Sequence, residues 1–214
     1  MAAQFPHSED ADPACGFTIG LALLDASTGK LEAALLHLAD DLEEALGVYE
    51  RTFAPQQPDG IAQARDIRVQ RIVPPIPSAA ESTGPEEAAR IAGAFPGHVR
   101  PLYALAATDA YACTPAEHAL MRLTASCREA GVPWGGGLAC GGGSLIEPCA
   151  RGPRMGRMRR ARSERIDQLI AAIRSRRAVN DMIDGPASGI LLAPCPLPAP
   201  LYPLATNFYE RYCP

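Results

Sequence analysis

Four stretches of this chain carry groups that could do chemistry. The first is "DASTGK", residues 25–30, where two hydroxyls and a glycine precede a lysine. A turn of this kind ahead of a helix either cradles an anion on hydroxyls and backbone N–H groups or simply caps the helix through Ser27 or Thr28. It is not a Walker loop, because no glycine stands five residues before Gly29 and neither Ser nor Thr follows Lys30. The second is "VPWGGGLACGGGSLIEP", residues 132–148, with six glycines in the nine positions 135–143 beside the single tryptophan. Glycine at that density marks close approach of backbone to a ring, a phosphate or a neighbouring element. Trp134 with Gly135, Gly136 and Gly137 is the better candidate to face a ligand, and Gly141 to Gly143 the better candidate to admit a packed neighbour. The third is Cys140, a candidate thiolate after an expected strand. A nucleophile elbow needs glycine where Leu138 stands, so a buried, inert thiol is the preferred reading. The fourth is the run from Arg151 to Arg165, seven arginines in 15 residues. It could meet nucleic acid or a 2′-phosphate, but no aromatic lies within it to stack on bases, and a solvated face is preferred. His7, His37, His98 and His118 form no defensible pair.

These groups need elements to hold them. "FTIGLALL" (17–24) is a nearly continuous apolar run that predicts a strand covered on both faces. Leu31, Leu35, Leu38, Leu42 and Leu46 then recur at helical spacing. "DIRVQRIV" (66–73) reads as a short strand, "PPIPSAAESTGP" (74–85) as a proline-punctuated connection, and "PEEAARIAGAF" as a helix begun by Pro85. A buried strand is expected at roughly 101–107. After it Thr114 should cap a helix, with Pro115 in the first position, Glu117 completing a capping box and Gly131 ending it. Its buried face would be Ala116, Ala119, Leu120, Leu123, Cys127 and Ala130. "VPWGGGLAC" predicts a further strand, and Ile166, Leu169, Ile170 and Ile173 a further helix. Residues 1–15 read as a loose tail. Residues 184–214 are too rich in proline for a long regular element, although their apolar residues should pack on the domain. Strands alternating with helices give an α/β class with a mainly parallel sheet.

Composition sets the outer bounds. A chain of 214 residues suits a single domain, here 16–214 with a proline-rich C-terminal extension. With 20 basic against 24 acidic side chains, no global field favours nucleic acid or an anionic membrane. The seven cysteines are too dispersed for a zinc ribbon or a C-x-x-C pair. They suggest reduced thiols in the cytoplasm. No apolar stretch reaches the roughly 20 residues that span a bilayer.

The ordered set "LYALAATDAY", a helix ending in "CREAG", and "VPWGGGLACGGGSLI" resembles the C-terminal half of flavodoxin-like NAD(P)H-dependent FMN reductases and related oxidoreductases. The arginine-rich entry to a final helix and the closing Asn207, Phe208 and Tyr209 are similar too, so the likeness covers roughly residues 99–212. It implies a flavodoxin-like three-layer sandwich. It also implies FMN, with its phosphate at Ser27, Thr28, Gly29 and Lys30 and its ring beside Thr108, Asp109 and Tyr111, with Trp134, Gly135 and Gly136 near the ligand. NAD(P)H would deliver hydride, and a flavin, quinone or similar small molecule would accept electrons. Relatives of this kind often build the site across two chains, so a homodimer is implied.

Two features depart from that pattern. Asp25 would repel a phosphate unless it turns away. Residues 48–99 hold one weak strand and one helix, so the fold is expected to be one strand–helix unit short, missing the central strand. The alternative is therefore a flavodoxin-like binding or structural protein without cofactor, and a third reading is a hydrolase using Cys140.

Overall fold

A computed structural model of the chain describes residues 17–27, 29–53, 67–72, 76–77 and 101–212. Its first strand, β1 (Phe17–Asp25), shows why an unbroken apolar run is needed. Ile19, Leu21 and Leu23 enter one core while Ala22 and Leu24 enter another on the opposite face. A strand with no solvent face cannot alternate apolar with polar residues.

Helix α1 (Glu32–Phe53) follows and buries Leu35, Leu38, Leu42 and Leu46 at the spacing read from the sequence, with Leu31 buried just ahead of it. Strands β2 (Ile67–Arg71) and β3 (Ile76–Pro77) then pair, both parallel, with the early and late parts of β1. β3 falls inside the stretch expected to be only a connection. Strand β4 (Leu102–Ala107) takes the other edge of β1. Next come α2 (Thr114–Ala130), β5 (Trp134–Cys140), the single turn α3 (Ile146–Cys149), α4 (Arg160–Arg174), β6 (Ile190–Ala193) and α5 (Tyr202–Tyr212).

The parallel strands lie in the order β2-β1-β4-β5-β6, with β3 a short extension on the β2 side. Counting β2 and β3 as one position, this is the flavodoxin-like order 2-1-3-4-5. Helices α1 and α4 cover one face through Leu35, Leu42, Ile166 and Ile170; α2 covers the other through Ala116, Ala119, Leu120 and Leu123. The architecture is a three-layer α/β sandwich.

The sheet corrects the expected shortfall. All five positions are filled, the central one by β4, and the strand missing from the sequence reading is β6, "ILLA", in the proline-rich stretch. Four residues between Pro186 and Pro194 are enough for an edge strand, and prolines at its limits cost it no ladder hydrogen bond. The same stretch then forms the 11-residue α5, with Pro203 in the first turn, where a missing N–H is harmless. The helix expected from Pro85 and the tail 1–15 lie outside the described residues.

At α2 the cap differs from expectation. Cys113 stands at the N-cap with no side-chain bond, and Thr114 is already helical, so no capping box forms. Pro115 does lie in the first turn, and Gly131, at φ +70, does end the helix. Ala130 is exposed rather than part of the buried face.

The arginine run is divided: Arg151, Arg157 and Arg160 are exposed, as a solvated face requires, whereas Arg154, Arg159 and Arg162 turn to the protein. Arg159 donates to the carbonyls of Ala150 and Gly152 and, at 2.5 Å, to Asp41 of α1. Arg154 bonds Asp167 at 2.8 Å and lies 3.7 Å from Asp41. Arg162 is buried, 4% exposed, with one nitrogen on the Met158 carbonyl. Together they hold the β5–α4 connection to the helical layer. Among the described residues no helix is long and apolar enough to cross a membrane, and no cluster of side chains could hold a metal ion.

Candidate functional site

In open parallel sheets of this order, ligands gather beyond the carboxyl ends of the strands where the winding reverses. Here that point lies between β1 and β4, whose ends Asp25 and Ala107 are register partners. The loops that follow β1, β4 and β5 meet there and interlock through backbone. Ala26 N–H donates to Ala107 O at 2.8 Å, Gly143 N–H to Thr108 O at 2.8 Å and Gly142 N–H to Ala110 O at 2.8 Å.

Side chains then tie the same loops together. Ser27 Oγ accepts the Asp109 N–H at 2.6 Å and lies 3.5 Å from the Thr108 hydroxyl. Thr108, 2% exposed, accepts the Ala110 N–H through its hydroxyl. Ser144 Oγ donates to Asp109 Oδ1 at 2.6 Å, and the Tyr202 hydroxyl donates to the Asp109 carbonyl. Tyr111 donates to the carbonyl of Leu197 at 3.0 Å and its ring lies 5.8 Å from that of Tyr202. A small apolar cluster of Leu145, Cys149, Cys195 and Tyr202 backs these contacts. The C-terminal stretch that reads as a simple extension therefore packs against this rim.

Four residues named from the sequence thus come together: Ser27, Thr108, Asp109 and, through Tyr202, Tyr111. Gly29 and Lys30 are on the loop and exposed, and Thr28 lies outside the described residues. Gly29 has φ +81, which a residue with a side chain rarely adopts, so the turn into α1 depends on it.

Trp134, Gly135 and Gly136 do not join them. They begin β5, pairing with Leu102 and Tyr103 at the start of β4, and so stand at the opposite end of the sheet. A Cβ on Gly135 would sit 2.5 Å from the Tyr103 ring, and one on Gly136 would meet Val179. Their missing side chains make room for packed neighbours. The triplet at the rim is the other one: a Cβ on Gly141 would sit 2.6 Å from the Tyr111 carbonyl, and one on Gly142 2.9 Å from Cys195 Sγ. Gly141 to Gly143 thus admit packed neighbours as expected, and the first triplet makes way for protein as well.

Asp25 does not turn away. Its Oδ1 accepts the Ser27 N–H at 2.8 Å and its Oδ2 the Leu31 N–H at 2.9 Å, and the residue is only 3% exposed. The carboxylate thus sits at the entrance of α1, on donors and a dipole end that a phosphate would use. Two like charges about 4 Å apart repel by about 4 kcal/mol at an effective dielectric near 20. A helix end returns up to about 2 kcal/mol. The carboxylate therefore opposes a phosphate at this loop, while the exposed Lys30 would attract one.

Cys140 is fully buried, and burial pushes its thiol up to about 12, which removes it as a nucleophile near neutrality. Burial raises the thiols of Cys113 and Cys149 as well, and that of Cys127 to about 11. His37 and His118 are exposed on helices, as expected; His7 and His98 lie outside the described residues.

Sequence reasoning missed Ser144, Tyr202 and the inward turn of Asp25. Ser144 had a usable signal, since it closely follows a buried strand and so belongs at the carboxyl rim. Tyr202 had none, because its approach depends on how the proline-rich stretch returns across the sheet. No family model, curated protein or solved structure matches the chain.

Proposed function

We propose that the chain is a flavodoxin-like protein that works without flavin mononucleotide, in a binding or structural role. One observation carries this reading: most of the rim's described polar groups are engaged with one another, from Asp25 on the N–H groups of Ser27 and Leu31 to Asp109 held by Ser27, Ser144 and Tyr202. A ligand would have to replace several of these bonds before gaining any of its own. The described cysteines are free thiols, which suits a reducing, cytoplasmic setting.

A second reading has its own support, the convergence of residues 25–31 with 108–111 at the switch point. It is an FMN-dependent oxidoreductase, acting as a homodimer and passing electrons from NAD(P)H to a flavin, quinone or similar acceptor. FMN would supply the redox chemistry when bound.

The two separate on a simple titration. Protein purified from cells should be colourless above 400 nm, and FMN fluorescence should stay unquenched on adding protein to tens of micromolar. A yellow preparation, or saturable quenching with NAD(P)H oxidation by the loaded protein, would replace the first reading with the second.

A further inference from the structure

We infer that Asp25 is a specificity-determining residue, a built-in anion that excludes phosphorylated ligands from the switch-point rim. The inference rests on the cofactor-free reading and names its cause. Asp25 ends β1 at the point where the winding reverses, and both its oxygens take backbone N–H groups of the loop that leads into α1. It is 3% exposed and in register with Ala107, so the strand itself holds its backbone in place. The rest of the loop keeps what an anion needs: Gly29 in the left-handed region, with nothing within 4 Å of the Cβ it lacks, and Lys30 exposed beside it. The same loop thus carries groups that suit phosphate and one that opposes it.

Removing the charge should therefore open the rim to phosphate, and because an asparagine amide accepts through its oxygen alone, Asp25→Asn also frees one of the two N–H groups. The variants are Asp25→Asn, which keeps the size of the side chain, Asp25→Gly, which clears the seat, and Asp25→Glu, which keeps the charge. Each full-length variant is titrated with inorganic phosphate and with FMN by calorimetry. The shift in melting temperature with phosphate serves as a second readout that works for a destabilised variant. The expected result is no saturable phosphate binding by wild type or Asp25→Glu, and at least about tenfold tighter binding by Asp25→Asn or Asp25→Gly. If wild type binds phosphate or FMN, the cofactor-free reading falls and this inference with it. If wild type does not bind and both neutral variants also fail, the inference alone is overturned, and the exclusion lies elsewhere in the rim.

Discussion

Gly136→Ala separates a glycine kept for packing from one kept for a ligand. Gly136 has φ +135, a region that costs a residue with a side chain about 1–3 kcal/mol. The new methyl would also lie 2.8 Å from Val179 Cβ and 3.1 Å from the Gly189 carbonyl. Forcing a methyl into a filled core costs about 1–3 kcal/mol more. The sum, about 4 kcal/mol, is a large share of the roughly 5–15 kcal/mol that holds a domain together. Urea unfolding should show the midpoint falling sharply with an unchanged slope. Val179→Ala in the same chain should return only part of the steric cost, because the Val179 Cβ and the Gly189 carbonyl remain and the backbone conformation stays unfavourable, giving a coupling of about 1 kcal/mol in a double-mutant cycle. A Gly136→Ala protein within about 0.5 kcal/mol of wild type would refute the packing account, leaving a role at a ligand as the better explanation of the triplet.

Three further outcomes follow from named contacts. Asp41→Ala should cost about 2 kcal/mol in urea unfolding, because it strips the half-buried Arg154 and Arg159 of a shared partner, whereas Asp40→Ala, at an exposed pair, should cost under about 0.5 kcal/mol. Tyr202→Phe should cost about 1 kcal/mol through the lost bond to the Asp109 carbonyl, read by thermal unfolding. Burial raises Cys127 to about 11 and Cys140 to about 12 against 9.0 for a free thiol. Their contribution to stability is thus fully present below pH 9 and is lost as pH rises from there through 11 and 12. A urea midpoint that is flat to pH 9 and falls beyond it is expected, and iodoacetamide should label Cys140 at pH 8 only after unfolding.

How much of this could be read in the sequence depends on what each feature rests on. β1 and β4 were legible because a strand with two buried faces must be apolar throughout, and "FTIGLALL" and "LYALAA" are. α2 was legible from its spacing and Gly131, but its cap was not, since Thr114 and Glu117 fit the capping pattern while the chain enters the helix one residue earlier. β6 is too short to show a period, and its flanking prolines read as loop. The meeting of residues 25–30 with 108–111 followed from the family resemblance, which put one ligand on both loops, and from the gathering of ligands at the carboxyl ends of parallel strands. Trp134 stands away from that rim despite its glycines, because a parallel sheet sets the start of each strand beside the start of its neighbour, at the end of the sheet far from the carboxyl rim. The inward turn of Asp25 could not be read, because a bond spanning six residues depends on the path the loop takes through Gly29.

The most direct test of the central claim is to watch the Ser27 and Leu31 amide protons by NMR while millimolar FMN or inorganic phosphate is added to the wild-type protein. With the Asp25 carboxylate seated on both, neither resonance should move, and the Leu31 amide should exchange slowly with solvent throughout. Saturable shifts at both amides would contradict the account, since they would mean that the carboxylate yields its donors to a phosphate.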